Sequence, residues 1–160
     1  MSKLSHIDDS GGARMVDVGE KQPTRRRARA QAFVRMSDEA LRAVRENRLK
    51  KGGVVEVARI AAMMGAKRTH DLIPLCHPLP VEVVEAEVEL LDGGVRIEVE
   101  VRGTAKTGFE MEALVGASIG ALTIYDMIKA VDREAVIERV VLIEKSGGKS
   151  GRFRRSDEGA

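Results

Sequence analysis

Two alternating, β-branched runs, Val81–Leu91 and Val95–Val101, meet at Asp92-Gly93-Gly94. An Asp-Gly step supplies the positive φ that a tight reversal needs, so the two runs read as a hairpin. That hairpin commits the chain to an antiparallel sheet with at least one face to cover. A third strand fits the same pattern upstream. Ala28, Ala30, Ala32, Val34 and Met36 alternate with Arg27, Arg29, Gln31 and Arg35, with Phe33 the exception on the outer side.

Cover for the sheet comes from helical segments. Ser37 stands where an N-cap belongs, Asp38 and Glu39 follow in the first turn, and Leu41, Val44 and Leu49 mark a helix reaching Lys50. Gly52-Gly53 interrupts it. Helical periodicity resumes from Val54 to Ala66, and the proline-bounded stretch 72–80 is irregular. Glu110 to Val131 reads as a long helix with Leu114, Ala117, Ala121, Ile124, Tyr125 and Ile128 on one face, and Val136 to Ile143 as a closing strand. The order β, α, β, β, α, β predicts an α+β chain of the ferredoxin-like split β-α-β kind, an antiparallel sheet with helices packed on one face. Fold alone does not select a function.

Composition narrows the class. At 43% hydrophobic and 32% charged residues the chain has the balance of a folded domain. The expected organisation is a flexible N-terminal arm over 1–14 and a single domain over 15–160, with a mobile Gly/Lys-rich segment from about 145. Basic and acidic residues, 27 and 25, leave a net charge of only +2, and aromatics are 2%, which weighs against a nucleic-acid surface. No apolar run reaches the ~20 residues of a membrane span, no signal peptide opens the chain, and the lone Cys76 has no internal partner. A cytoplasmic location without membrane or nucleic-acid partners is expected.

Candidate chemistry gathers at both ends of the long helix. Lys106-Thr107-Gly108-Phe109-Glu110-Met111-Glu112 puts two carboxylates at its entry, where mutual repulsion can separate an acid from a base, although acidic residues there also simply answer the helix dipole. Asp126 and Lys129 stand at i, i+3 near its exit, as a working pair or an ordinary surface ion pair. Glu112 and Asp126 are 14 residues apart, about 21 Å along an ideal helix. If both act on one small substrate, the site is shared between subunits. Gly116 and Gly120 in the helix interior signal a close approach, by the sheet or by a helix of another subunit. A homo-oligomer follows from these features together.

Cys76 and His77 lie in the proline-bounded loop. With three histidines and no cysteine pair in the chain, a metal site has no support there, while His77 is either a proton-transfer or substrate-contacting group or a structural histidine. Lys145-Ser146-Gly147-Gly148-Lys149-Ser150-Gly151 lacks the leading glycine and following helix of a P-loop. Its lysines, with Lys51 and Lys67-Arg68, are candidates for holding phosphate oxygens, against the alternative of a solvated tail.

Lys67-Arg68-Thr69, the run Asp71 to Pro78, Lys106-Thr107-Gly108, Glu110 to Leu114, Leu122 to Val131 and Lys145 to Gly151, with His6 and Met15-Val16-Asp17-Val18, together resemble the molybdenum cofactor biosynthesis protein C family, the cyclic pyranopterin monophosphate synthases. The resemblance implies a homohexamer, a trimer of dimers with active sites at the dimer interface. It also implies a lyase that converts a cyclic dihydroguanosine triphosphate, made by an upstream radical enzyme, to cyclic pyranopterin monophosphate and pyrophosphate without metal or redox cofactor. By resemblance Asp126 and Lys129 are the acid–base pair and Lys51 a further catalytic lysine. Leu75, Cys76 and His77, and Glu110, Met111 and Glu112, are substrate-binding, with Lys67, Lys145 and Lys149 expected to meet phosphates. Phe109, where Val is commoner, and Gly53, where an acidic residue is commoner, depart from the family pattern. The competing function is a phosphate- or RNA-binding module drawing on Arg25-Arg26-Arg27, Arg29 and the basic tail.

Overall fold

The hairpin forms as its sequence requires, with Gly93 at φ 79° between β2 (Val81–Leu91) and β3 (Gly94–Ala105). The structure is a computed structural model and describes residues 6–156 of the chain; the first five residues of the expected N-terminal arm lie outside them. In chain order the elements are β1 (Thr24–Arg35), α1 (Asp38–Arg45), α2 (Val54–Lys67), α3 (Thr69–Leu72), β2, β3, α4 (Glu110–Ile128), β4 (Val136–Ser146) and β5 (Phe153–Arg154). The fold is α+β, with one antiparallel sheet in the order β2-β3-β1-β4-β5.

Alternation sorts the two faces of the sheet. Ala28, Ala30, Ala32 and Val34 of β1 and Val95, Ile97, Val99 and Val101 of β3 are fully buried beneath the helices. On the opposite face Arg27 bridges Glu100 and Glu144, Arg29 pairs with Glu98, and Arg102 spans Glu85 and Glu100. Phe33, on that outer side, leans on Gly94, where a Cβ would stand 2.7 Å from its Cζ and 2.2 Å from the Val34 carbonyl oxygen. The arginine run that suggested a polyanion surface is committed within the chain, because Arg25 pairs with Glu82 and Arg26 donates to the Ala105 and Lys106 carbonyls.

Element boundaries differ from the periodic reading at several points: β1 starts at Thr24, α3 was not foreseen, α4 ends at Ile128 rather than Val131, and β4 runs on to Ser146 rather than Ile143. The first helix stops at Arg45 rather than near Lys50, because Asn47 takes φ 51° and leaves the right-handed helix. Leu49 keeps the apolar period yet packs on the core from a loop, which is why the pattern ran on past the helix. β5 was not legible, since a two-residue strand carries no period; it exists because the Arg155 N–H donates to the Ile143 carbonyl beside its pairing with β4.

α4 is apolar almost all round because it is enclosed on two sides by α2 and by the sheet. Its glycines permit that enclosure. A Cβ at Gly116 would stand 3.1 Å from the Ala62 carbonyl oxygen, and one at Gly120 would stand 2.2 Å from Ile97 Cδ1 and 3.2 Å from Ala62 Cβ. The close approach at these two positions is therefore made by α2 and β3 of the same chain, not by another subunit's helix. Opposite them, Gly65 of α2 makes room for Ile119. Gly120→Val should lower stability by about 1–3 kcal/mol through overpacking, read as a lower urea midpoint with unchanged slope; an unchanged midpoint would show that the contact has slack.

Candidate active site

Thr69, almost fully buried, donates from its hydroxyl to the Ala66 carbonyl at 3.0 Å and so closes α2 into the single turn of α3. From there the chain must reach β2 through Pro74, Pro78 and Pro80, which forbid a further helix and hold the segment extended. That segment passes the start of α4, just after β3 ends. Between them lies a cavity of about 370 Å³ lined by Leu75, Cys76 and His77 from the loop, by Thr107, Gly108, Glu110, Met111 and Glu112, and by His6, Val16 and Lys21 from the N-terminal segment. Six residues that sequence reasoning had assigned to substrate binding thus share one cavity. A Cβ at Gly108 would displace the Glu110 carboxylate, whose Oε2 lies 1.8 Å from that position.

Burial sets the chemistry of this end. Glu112 is only 4% exposed, and loss of solvent, reinforced by the nearby Glu110 carboxylate, lifts its carboxyl to about 7. The Cys76 thiol is likewise pushed up, first by burial and then by Glu112. His77 Nε2 donates to the Val16 carbonyl at 2.8 Å, which fixes that nitrogen as the protonated one and leaves Nδ1 as an acceptor when the ring is neutral. The cavity thus holds a carboxyl able to keep or release a proton near neutrality beside an oriented imidazole.

The other end of α4 has the opposite character. Antiparallel packing of α2 on α4 delivers Lys51, in the turn before α2, to the last turn of α4. Lys51 Nζ lies 2.6 Å from Asp126 Oδ2 and 3.0 Å from the Asp126 carbonyl oxygen, and Lys129 Nζ lies 2.7 Å from Oδ1. All three side chains are about half exposed. Hydrogen bonds from Lys129 and then from Lys51 hold the Asp126 carboxyl down at about 2, so it is a carboxylate flanked by two ammonium groups at any ordinary pH. Exposed pairs of this kind contribute little to stability.

The remaining sequence candidates lie in neither cluster. Lys67 is exposed at the end of α2, Lys145 donates to the Ser150 hydroxyl, and Lys149 is exposed in the turn after β4. That turn is seated on β1: Gly147 and Gly148, at φ 94° and 75°, lie against Arg26, where side chains would clash. Among the described residues no group of three or more His, Cys, Asp or Glu side chains is placed to hold a metal ion. Sequence reasoning missed the contribution of Val16 and Lys21 to the cavity wall. Val16 stands in the Met15 to Val18 stretch that carries the resemblance, but the long-range pairing of residues 16–21 with the cavity loops leaves no periodicity to read.

The MoaC family model matches residues 15–148. A relative from Thermomicrobium roseum called cyclic pyranopterin monophosphate synthase is 51% identical over 162 residues, covering 100% of this chain and 98% of its own length. Another of the same name, from Methylobacterium sp., is 52% identical over 155 residues, covering 96% and 97%.

Because the Glu112 carboxyl is raised from an ordinary 4.5 to about 7, the folded protein binds more protons than the unfolded chain between those values. Its contribution is fully present below pH 4.5 and lost as pH rises through 7. Measured against Glu112→Gln, wild-type stability should fall over that window by on the order of 3 kcal/mol in urea titrations at several pH values. Parallel pH profiles for the two proteins would show that Glu112 is not desolvated in solution.

Proposed function

Since this chain belongs to the MoaC family, we propose that it is a lyase of molybdenum cofactor biosynthesis, forming cyclic pyranopterin monophosphate and pyrophosphate from a cyclic dihydroguanosine triphosphate. The observation that carries the reading is half identity over essentially the whole length to relatives named for that reaction. It extends to the site residues because nine of the twelve gather at two places, the cavity at the start of α4 and the lysine-flanked carboxylate at its end.

The chemistry opens the five-membered ring of guanine and closes a pterin ring, steps that need protons delivered and removed near neutral pH. In this reading Asp126 and Lys129 are the acid–base pair that moves those protons, with Lys51, bonded to the same carboxylate, as a further catalytic lysine. Leu75, Cys76, His77, Glu110, Met111 and Glu112 grip the base, with the neutral Glu112 carboxyl able to donate a hydrogen bond to it. Lys67, Lys145 and Lys149 are assigned to the phosphates and the departing pyrophosphate, supported by the exposure of Lys67 and Lys149.

Both clusters sit on one straight helix, about 21 Å apart at 1.5 Å per residue, too far for one compact nucleotide within a single chain. We therefore assign each site to two subunits, in a homohexamer built as a trimer of dimers. Val57, Ile60, Met64 and Leu122 support it: on α2 and α4 they expose an apolar face that would be costly to leave wet. The strand order β2-β3-β1-β4 supports a ferredoxin-like split β-α-β assignment, with β5 added at the edge. The rest of the reading is a single catalytic unit over 15–160, tails over 1–14 and from about 145 that adjust to substrate, a cytoplasmic setting, and supply of substrate by a radical enzyme upstream.

Asp126→Asn should abolish release of pyrophosphate and pterin product from the cyclic nucleotide, by at least about 100-fold in kcat, with assembly unchanged by light scattering. Normal turnover by the variant would remove Asp126 from the mechanism, and an inactive, correctly assembled wild type would remove the reaction.

A further inference from the structure

The cavity at the start of α4 has an electrostatic problem for any phosphate-bearing ligand. Two of its wall residues, Glu110 and Glu112, are acidic, and the substrate class proposed above is a polyanion. Among the described residues lining the cavity only one is a lysine or arginine, and it is Lys21, contributed by the N-terminal segment rather than by the helix or the proline-bounded loop.

Lys21 is not held there by chance of a loose chain. Residues 16–21 are fastened at two points: the Val16 carbonyl accepts from His77 Nε2 at 2.8 Å, and the Gly19 carbonyl accepts from Lys106 Nζ at 2.7 Å. Between those points the segment is folded by its own bonds, with Gly19 N–H donating to Asp17 Oδ1 at 2.8 Å and Lys21 N–H donating to the Val18 carbonyl at 3.1 Å. Both anchors, His77 and Lys106, flank the cavity, so the segment is a strap laid along its rim with Lys21 at the end.

The neighbouring cations are already engaged. Lys106 holds the strap, Arg26 donates to the Ala105 and Lys106 carbonyls, and Lys145 donates to Ser150. The Lys21 ammonium makes no hydrogen bond or ion pair among the described residues. From this placement we infer that Lys21 is a substrate-binding residue: it takes a phosphate oxygen of the nucleotide at the rim of the cavity, and the strap from Val16 to Lys21 is the device that positions it. That a nucleotide phosphate is there to be met rests on the function proposed above.

Two measurements on the full-length protein keep the role of Lys21 and that function separable. The first is steady-state turnover of the cyclic dihydroguanosine triphosphate; the second is calorimetric titration with GTP, which carries the same triphosphate. Lys21→Gln should raise KM about tenfold while leaving kcat within about threefold, weaken GTP about tenfold, and flatten the salt dependence of both. Lys21→Arg should recover most of the loss, because a guanidinium also meets phosphate, whereas a variant that acted by loosening the strap would not be rescued by restored charge. Unchanged melting of Lys21→Gln is expected for an exposed, unpaired side chain. If wild type binds GTP and Lys21→Gln loses that affinity while neither turns over the cyclic nucleotide, Lys21 keeps its role and the reaction assignment falls. Wild-type KM and GTP affinity in Lys21→Gln, or no triphosphate binding by wild type in either assay, overturns the inference.

Discussion

Everything about the candidate site depends on how closely α4 can lie against α2 and β3. Gly116 and Gly120 on one side and Gly65 on the other remove the side chains that would hold these elements apart. Because α2 then runs antiparallel along α4 at short range, its leading turn brings Lys51 to Asp126, and its trailing end opens into the loop that carries Cys76 and His77 past Glu112. One packing contact therefore positions two chemical clusters. Glycine inside a helix costs about 1 kcal/mol against alanine, a loss offset here by burying both helices on the sheet.

The two clusters are electrostatic opposites. At the start of α4 a nearly dry carboxyl is raised toward neutrality by loss of solvent, and a thiol beside it is pushed up by the same burial. At the end of α4 an exposed carboxylate is held down by two ammonium groups. Ring opening and ring closure need a group that can hold a proton at neutral pH and a pre-set array of charge, and each end supplies one of them. Neither end supplies both, which is why the separation along the helix matters more to mechanism than any single distance.

Much of this was legible in the residues, for identifiable reasons. The Asp92-Gly93-Gly94 reversal and the Ala28 to Val34 alternation gave a sheet whose faces sort as expected, because period-2 patterns and positive-φ glycines are local signals. The Asp126–Lys129 pair was readable from i, i+3 spacing, whereas the addition of Lys51 depends on packing 75 residues away and came only through resemblance. The glycines of α4 announced a close neighbour but not which one, since a missing side chain is the same signal for an intrachain helix as for a subunit contact. Leu49 misled the helix boundary because a core contact from a loop mimics a helical period. The strap that carries Lys21 has no period of its own; its structure is imposed by His77 and Lys106, far along the chain.

The central claim is that Glu112 of one subunit works with Asp126 of another, and mixing inactive variants tests it directly. Glu112→Ala and Asp126→Asn, each without turnover alone, would be unfolded together in equal amounts, refolded and assayed. Random pairing at a two-fold interface leaves some sites with both native groups, so about a quarter of wild-type activity should return. If the refolded mixture assembles normally yet stays as inactive as its parents, each subunit carries its own complete site, and the shared arrangement is wrong.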